Sequence, residues 1–208
     1  PAGSSGSVAE PLRLLPPEDI VQEQTRVSAI HQVCNAFQDI EKKDSFNLDA
    51  LNSASESIVL DLIDKRNNLV QITDIRLHDD YTFSHSVNVA ILAAMLGSLC
   101  GLERRDLMKL TLGGLLHDIG KLIVPKSILN KPGSLSDKEF EIIRMHPEAG
   151  REKLLEINKV VDPSIIDITV QHHEHLDGKG YPKRLVGGQI HYFSRIIAIA
   201  DVYDALTS

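Results

Sequence analysis

A histidine and an aspartate stand side by side in the run His117-Asp-Ile-Gly-Lys121, directly after an apolar segment. Residues 104–116 repeat apolar side chains at helical spacing and predict a helix that ends where the imidazole and the carboxylate begin. Adjacent side chains on a helix point about 100° apart, so both can serve one site only where the helix end faces it. Gly113 and Gly114, one turn before His117, leave that side of the helix bare for another backbone or a metal.

The rest of the chain carries the same helical pattern. Among its 208 residues Trp is absent and aromatic residues make up 4%, whereas Leu, Ile, Val and Ala recur at helical spacing. No strand pattern extends beyond short runs, and there is no internal repeat. We therefore predict an all-α fold, with enough chain to bury a core in one domain with an appendage or in two small domains.

The charge of the chain argues against a duplex nucleic-acid binder. Residues 1–70 carry a net charge of −5 (6 bases, 11 acids), and residues 71–208 a net charge of −2 (16 bases, 18 acids). Two stretches without any acid, 119–134 and 178–200, together hold seven Lys or Arg residues and flank the histidines. This placement favours a small phosphate-bearing ligand, although solvated basic loops explain any single one of these residues equally well.

Neither the cysteines nor the apolar runs indicate a secreted or membrane protein. Cys34 and Cys100 fall in apolar helical patterns without metal-ligand spacing, and we interpret them as reduced core thiols of a cytoplasmic protein. We expect no signal peptide, and the best apolar run, Val87 to Leu96, contains Asn88 and is too short to span a membrane.

Three regions are expected along the chain. Residues 1–17, which begin with Pro-Ala-Gly-Ser-Ser-Gly-Ser, form a linker or tag-derived segment. Residues 18–74 form two helices, one from after Pro17 to about Lys43 and one from an Asn47 cap to about Arg66. These helices are either a packed N-terminal hairpin, which we favour, or a coiled regulatory or dimerising element. Residues 75–208 carry all the convergent chemistry.

Seven side chains in this last region suit a metal site, because each lies at a helix end, at a helix break or on an apolar helix face. They are His85, His117, Asp118, His146, His172, His173 and Asp201. Pro147 interrupts the helix that a capping box opens at Ser136, so His146 sits at a break from which it can point inward. The remaining histidines, His31, His78, His175 and His191, lack such placement.

Three of these positions have a structural alternative. Asp201 has Ile197, Ala198 and Ala205 as helical neighbours, so we expect a buried carboxylate that a metal would relieve of its desolvation cost. Alternatively, a salt bridge to Arg195 or a hydrogen bond in a capping role would stabilise the Asp201 carboxylate. His172 and His173 could simply be histidines favoured by the dipole at a helix C-terminus.

The composition of the set determines which metal chemistry it supports. Five imidazoles and two carboxylates are too many for one tetrahedral zinc, but suit two octahedral ions that share a bridging carboxylate. A nitrogen and oxygen ligand set without thiolate favours Fe or Mn. Two such ions about 3.5–4 Å apart support the hydrolysis of a phosphodiester.

The order of these residues resembles the HD superfamily of metal phosphohydrolases. More narrowly, four motifs resemble the HD-GYP domain: His117-Asp-Ile-Gly-Lys121, Leu129-Asn-Lys-Pro-Gly133, His172-His-Glu-His-Leu-Asp-Gly-Lys-Gly-Tyr-Pro182 and Asp201-Val-Tyr-Asp-Ala205. The resemblance covers residues 75–208, and residues 10–74 are loosely similar to the helical lead-in of some members. It implies an HD-superfamily helical bundle with an N-terminal helical extension. It also implies hydrolysis of the bacterial messenger cyclic di-GMP to pGpG and often on to GMP.

The resemblance also implies a role for each residue. Asp118 would bridge two divalent metals, with His85, His117 and Asp201 toward one and His146, His172 and His173 toward the other. Lys121 would neutralise charge on the scissile phosphate. Gly180, Tyr181 and Pro182 would lie beside the substrate or a partner protein. Some members hold a third metal with a glutamate one turn before the first histidine; here that position is Tyr81, and two metals are expected.

Members of the family continue with an Arg-rich segment that contacts the nucleotide, and we expect this C-terminal end to be missing beyond Ser208. The sequence is thus interpreted as a cytoplasmic bacterial cyclic di-GMP phosphodiesterase, in which a metal-bridged hydroxide attacks phosphorus. Two alternatives stay open. One is a low-turnover signalling module that binds cyclic di-GMP, or a diguanylate cyclase (GGDEF) domain through the Gly-Tyr-Pro loop. The other is an HD hydrolase for another cyclic dinucleotide, such as cyclic GMP-AMP. A homodimer is also left open.

Overall fold

The computed structural model describes residues 21–43, 45–65, 81–157 and 161–207, and these confirm the all-α prediction. Within these ranges the chain forms nine α-helices and no strand, apart from an isolated bridge between Asp177 and Val186. The helices are α1 Glu23–Lys43, α2 Leu48–Lys65, α3 Tyr81–Leu99, α4 Arg104–Leu116, α5 Lys126–Leu129, α6 Asp137–Ile143, α7 His146–Ile157, α8 Pro163–Gln171 and α9 Tyr192–Thr207. Two 3₁₀ turns, Ile119–Ile123 and Gly187–Gln189, complete the regular structure.

The helix ends follow the local sequence signals. Asn47 caps α2, with its side-chain oxygen accepting a hydrogen bond from the backbone N–H of Ala50 at 3.1 Å. The predicted capping box opens α6: Ser136 Oγ accepts from Glu139 N at 3.4 Å, and Glu139 Oε2 accepts from Ser136 N at 2.7 Å. Pro163 begins α8 in the first-turn position that suits a residue without N–H.

The N-terminal pair of helices packs on the same core as the site-bearing helices. Buried side chains of α1 and α2, such as Phe37 and Ile58, share one hydrophobic cluster with Ile91 of α3 and Leu115 of α4. A hairpin packed against the rest therefore accounts for α1 and α2 within the described residues. The proposed linker 1–17 and the boundary near residue 74 lie outside the described residues, so the division into regions stays a prediction.

The central contact of the fold is between α3 and α4. Gly113 and Gly114 leave one face of α4 without side chains, as predicted. Other parts of the protein pack against this face, and the candidate metal ligands do not. A Cβ added at Gly114 would lie 2.7 Å from the Cα of Ala90, and one at Gly113 would collide with the side chain of Ile168. Helix α3 can therefore approach α4 closely enough for the N-terminal part of α3 to face the C-terminal end of α4.

The expected burial of the two cysteines is wrong. Cys100 is exposed and Cys34 is half-buried, so they are not core thiols, although both are free. Cys100 follows the last residue of α3 and opens the turn that leads to Gly101, where the helical pattern no longer decides burial. Part of the acid-free stretch 119–134 is helical, because the 3₁₀ helix Ile119–Ile123 and α5 lie within it. None of the described helices is both long and apolar enough to cross a membrane.

Candidate metal centre

The predicted His-Asp pair ends α4 and is entirely enclosed. His117 is the C-cap residue of α4, and its Nδ1 lies 2.7 Å from the carbonyl oxygen of Gly114, one turn earlier. A carbonyl only accepts, so Nδ1 carries the proton and the lone pair of Nε2 points away from the helix. Asp118 follows with its carboxylate 2% exposed. The end of α4 thus directs one nitrogen and two oxygens into the same buried space.

Two more imidazoles are held in the same tautomer by the ends of other helices. Nδ1 of His146 donates to the carbonyl of Ile143 at 2.7 Å, across the break between α6 and α7. Nδ1 of His172, the C-cap of α8, donates to the carbonyl of Thr169 at 2.9 Å. The two Nε2 atoms lie 3.2 Å apart. When both rings are neutral, their Nδ1 hydrogen bonds leave both Nε2 atoms unprotonated, and two lone pairs then face each other, an arrangement that a cation between them would stabilise.

Asp118 lies between two sets of imidazoles, one near each of its oxygens. Its Oδ2 is 3.3 Å from Nε2 of His117 and 3.8 Å from Nε2 of His85. Its Oδ1 is 3.3 Å from Nε2 of His146 and 3.8 Å from Nε2 of His172. Within the described residues two ligand groups result, His85–His117–Asp118 and Asp118–His146–His172–His173, and Asp118 belongs to both.

The polar atoms of this cluster fit a cation. Asp118 Oδ1 and His117 Nε2 are buried, and neither has a hydrogen-bond partner in the described part of the chain. Such atoms are costly to bury, and coordination to a metal removes that cost. Burial raises the pKa of Asp118, but the His117 imidazole and the Lys121 ammonium outweigh it and hold this pKa well below its usual range. The carboxylate is therefore ionised, as a metal ligand must be.

His172 and His173 are kept neutral. Burial and the neighbouring imidazoles of His173 and His117 hold the pKa of His172 well below its usual value. Burial and the imidazole of His146 lower the pKa of His173 to about 4. Neutral imidazole is the form that binds a metal. The cluster could hold metal ions, while the assignment of each ligand stays a prediction.

His85 is fixed by two carboxylates of α9. Its Nε2 lies 3.1 Å from Asp201 Oδ1, and its Nδ1 lies 2.7 Å from Asp204 Oδ2. Burial lowers the pKa of His85, but hydrogen bonds to Asp201 and Asp204 outweigh it and raise this pKa to about 9. Asp204 was not among the predicted site residues. Its position three residues after Asp201, on the same face of one helix, was a signal that could have identified it.

Asp201 is less enclosed than predicted. Its side chain is 15% exposed, because Ala198 is only half-buried and Ala205 is exposed, so the predicted apolar surroundings are incomplete. The alternative of a salt bridge to Arg195 does not apply, since the Arg195 guanidinium lies 5.3 Å from the ring centroid of Tyr192 instead. Asp201 belongs to the cluster through His85 and, at 4.0 Å, through Nδ1 of His173.

The Gly-Tyr-Pro loop packs directly on His173. The Tyr181 ring stacks on the His173 imidazole with centroids 4.8 Å apart and planes 28° apart, and the Tyr181 N–H donates to the His173 carbonyl at 3.1 Å. A side chain at Gly180 would collide with the backbone of residues 173–175. Tyr181 is thus a direct neighbour of a candidate ligand.

A buried glutamate closes this loop and was also missed by the sequence analysis. Glu174 is 4% exposed, and its carboxylate accepts hydrogen bonds from the backbone N–H groups of Lys183 at 2.6 Å and Leu185 at 2.9 Å. The Glu174 carboxylate therefore holds the loop in place through two backbone hydrogen bonds. The signal was the Glu within His172-His-Glu174, next to two candidate ligands.

Lys121 lies at the centre rather than in the solvent. Its ammonium is 2.5 Å from Asp118 Oδ2, and its side chain is 27% exposed. The four histidines that were set aside are not part of the cluster where the structure describes them. His31 and His175 are exposed, His191 accepts a hydrogen bond from the backbone N–H of Phe193, and His78 lies outside the described residues.

The fold is all-helical, and it brings imidazoles and carboxylates from α3, the end of α4, α7, the end of α8 and α9 into one cluster that could hold metal ions. The chain belongs to the HD domain family, whose model matches residues 59–208. That match takes in every member of the cluster.

The sequence is similar to several phosphodiesterases of cyclic dinucleotides. It is 37% identical over 176 residues to a cyclic di-GMP phosphodiesterase of Pseudomonas aeruginosa, covering 85% of this chain and 42% of the relative. It is 45% identical over 128 residues to the 3'3'-cGAMP-specific phosphodiesterase 1 of Vibrio cholerae, covering 61% of this chain and 29% of the relative. A cyclic di-GMP phosphodiesterase of Thermotoga maritima is 28% identical over 211 residues, covering 100% of this chain and 56% of the relative. The chain thus spans little more than half of these relatives at most.

The fold has a solved counterpart. Bd1817, an HDG"Y"P protein from Bdellovibrio bacteriovorus, matches with a TM-score of 0.68 and 24% sequence identity. The match covers 88% of this chain and 59% of that one. This similarity supports the helical arrangement described above.

Proposed function

We propose that this chain is a binuclear metal-dependent phosphodiesterase that hydrolyses cyclic di-GMP to pGpG, to GMP or to both. The observation that carries the proposal is Asp118, a buried ionised carboxylate with imidazole nitrogens near each of its two oxygens. A carboxylate in this position suits a bridging ligand between two ions. A pure binding module has no chemical need for so many converging nitrogen and oxygen atoms.

In this proposal the chain holds two ions. His85, His117 and Asp201 bind one, His146, His172 and His173 bind the other, and Asp118 is shared. The absence of thiolate from the set favours Fe or Mn. When bound, two such ions supply Lewis acidity at the phosphoryl oxygen and lower the pKa of a bound water.

Lys121 and the Gly-Tyr-Pro loop would act on the substrate. The Lys121 ammonium, at 2.5 Å from Asp118 Oδ2, is close enough to stabilise negative charge that develops on a phosphate at the centre. Gly180, Tyr181 and Pro182 form the wall beside His173 and would bound the substrate there. Asp118 and Lys121 are the residues we propose as catalytic.

The substrate class is supported by the relatives, several of which carry the name cyclic di-GMP phosphodiesterase. A second candidate substrate is 3'3'-cGAMP, because the relative from Vibrio cholerae that is specific for it is 45% identical over the matched region. Both substrates present the same two phosphodiesters to the centre. Competition between them in one assay would establish the preference.

The test combines metal analysis with turnover. Protein purified without oxygen should contain about two Fe or Mn per chain and release pGpG or GMP from cyclic di-GMP. Asp118→Ala should lose metal and at least about 100-fold of the activity together, because the shared ligand is gone. Retained activity in Asp118→Ala would contradict the mechanism. Full metal without any product would point to another substrate, and nucleotide binding without metal to a signalling module.

Three further expectations belong to this proposal. The exposed part of the Gly-Tyr-Pro loop would offer a surface for a GGDEF domain, which a pull-down with a purified diguanylate cyclase would test. A homodimer would be detected by light scattering. A cytoplasmic location fits a nucleotide second messenger and stays a prediction.

A further inference from the structure

We propose that Arg144 binds the second, non-scissile phosphodiester of the substrate and so selects cyclic dinucleotides over simple phosphate diesters. The inference rests on the proposed function, because it needs a substrate with two phosphates. It concerns a residue outside the candidate ligand set, beside the Gly-Tyr-Pro loop.

Arg144 is joined to the centre by a stack of rings. It is the C-cap residue of α6, two positions before His146. Its guanidinium carbon lies 5.0 Å from the ring centroid of Tyr181, and that ring stacks on His173 with 4.8 Å between centroids. The guanidinium is therefore no more than about 10 Å from the His173 imidazole. Arg144, Tyr181 and His173 thus form one stack. The Arg144 cation is at one end, and His173, a candidate metal ligand, is at the other.

The guanidinium is oriented and accessible. Tyr181 on one side and the Phe140 ring, 5.9 Å away, restrict its plane. One nitrogen donates to Glu141 Oε1 at 2.6 Å, and the side chain of Arg144 is 26% exposed. A guanidinium has five donors in a planar fork that matches a phosphate, so donors remain after this single bond. Glu141 is 65% exposed, and an exposed pair of this kind is weak enough for a phosphate to compete with it.

A cyclic dinucleotide has a second phosphate group that could bind to the Arg144 guanidinium. A cyclic dinucleotide carries two phosphodiesters in one ring, and only one of them can occupy the reacting position at Asp118. The other is held one nucleotide away and still carries a full negative charge. Lys121 is engaged at the centre itself, 2.5 Å from Asp118. Lys183, another cation near this loop, has its ammonium 3.8 Å from a carboxylate oxygen of Glu148 and is a point charge without a fork.

The test compares two substrates in the metal-loaded protein. Cyclic di-GMP has two phosphodiesters, whereas bis(p-nitrophenyl) phosphate has one. Arg144→Met keeps an apolar stem against Tyr181 but removes the charge. It should lower the ratio of kcat/KM for cyclic di-GMP to kcat/KM for bis(p-nitrophenyl) phosphate by about tenfold or more, chiefly through KM. Arg144→Lys should restore part of the ratio. A non-hydrolysable phosphorothioate analogue of cyclic di-GMP should bind Arg144→Met more weakly by a similar factor.

The matched control is Arg104→Met. Arg104 also pairs with a glutamate at 2.6 Å, but on α4, where it contacts Glu56. This variant should leave the substrate ratio unchanged. An Arg144→Met protein that loses activity equally on both substrates would overturn the proposal, because Arg144 would then act only by holding Tyr181 against His173. An unchanged ratio with unchanged activity would overturn it as well. Wild-type protein that hydrolyses the simple diester but no cyclic dinucleotide would instead refute the proposed function, and this inference with it.

Discussion

Nδ1 of His85 lies 2.7 Å from Oδ2 of Asp204, a contact between helices α3 and α9 that joins residues 119 positions apart. The Asp204 side chain is 2% exposed, so its carboxylate is largely shielded from water and contacts the His85 imidazole. The contact leaves Nε2 as the atom of His85 that faces Asp118 and Asp201. A carboxylate behind a candidate histidine ligand orients the ring and raises the basicity of its other nitrogen.

Asp204→Ala should therefore weaken metal binding by roughly 10–100-fold, because His85 loses its orientation. Asp204→Asn should weaken it less, since the amide oxygen can still accept from Nδ1. Calorimetric titration of each metal-free variant with Mn²⁺ measures its metal affinity. Asp64→Asn, an exposed carboxylate near the end of α2, is the control and should bind as the wild type does. Unchanged affinity in Asp204→Ala would show that His85 needs no such partner.

Removing the Glu174 carboxylate should open the Gly-Tyr-Pro loop. In Glu174→Ala the N–H groups of Lys183 and Leu185 lose their acceptor, at a cost of about 1–3 kcal/mol for each one that stays buried. Glu174→Gln keeps one oxygen and should be intermediate. Limited trypsin digestion reports on this directly, because Lys179, Lys183 and Arg184 lie within the loop.

We expect cleavage within the loop to be several-fold faster in Glu174→Ala, accompanied by loss of phosphodiesterase activity. Glu152→Ala, an exposed glutamate on α7, is the matched control and should be cleaved at the wild-type rate. Cleavage of Glu174→Ala at the wild-type rate would mean that other contacts suffice to hold the loop.

Gly114→Ala should force α3 and α4 apart. The new methyl group would lie 2.7 Å from the Cα of Ala90, and backbone on both sides cannot rotate away as a side chain can. Overpacking of this kind costs about 1–3 kcal/mol of the free energy of unfolding. Urea unfolding measures the loss, and metal affinity should fall with it because His85 and His117 lie on these two helices. Gly188→Ala has nothing within 4 Å of the added Cβ and should be neutral.

Asp162 stabilises the helix that carries His172. Its Oδ1 accepts from Ser164 N at 3.0 Å as the N-cap of α8, and its Oδ2 lies 2.9 Å from the Lys109 ammonium. Asp162→Ala should lower the free energy of unfolding by about 1 kcal/mol through loss of the cap. Asp162→Asn keeps a capping oxygen but loses the charge, so its loss should be smaller.

The contribution of this charge depends on pH in a defined direction. Burial raises the pKa of Asp162, but hydrogen bonds from Ser164 and Lys109 outweigh it and lower this pKa to about 2. Because the folded value lies below the usual 3.8, the stabilisation is complete above about pH 4 and is lost as the pH falls through about 2. Urea unfolding at about pH 7, 5 and 3 should give a difference between wild type and Asp162→Asn that is constant at the two higher values and smaller at the lowest. A difference that grows on acidification would contradict this assignment.

Much of the local structure was predictable, because its signals are local. Helix α4 spans the predicted Arg104–Leu116, Asn47 and Ser136 cap helices as predicted, and His146 stands at the predicted break. Each of these depends on residues within one or two turns of each other, so spacing and capping chemistry suffice. The expected burial of Cys100 was wrong, and that of Asp201 was incomplete, for the corresponding reason. An apolar pattern gives the buried face of a helix, but not how far a neighbouring helix covers it.

The sequence by itself determined the all-α class, several of the helix ends and the kinds of side chain available for a metal, because periodicity, caps and donor chemistry are properties of short segments. Only the tertiary structure decided which atoms meet. It brought Asp204 behind His85, turned the loop around Glu174 and directed Nε2 of His117, His146 and His172 toward one carboxylate. These contacts join residues up to 119 positions apart. They depend on the close approach of α3 to α4 at Gly114 and on the packing of α8 and α9 beside them, which no local signal specifies.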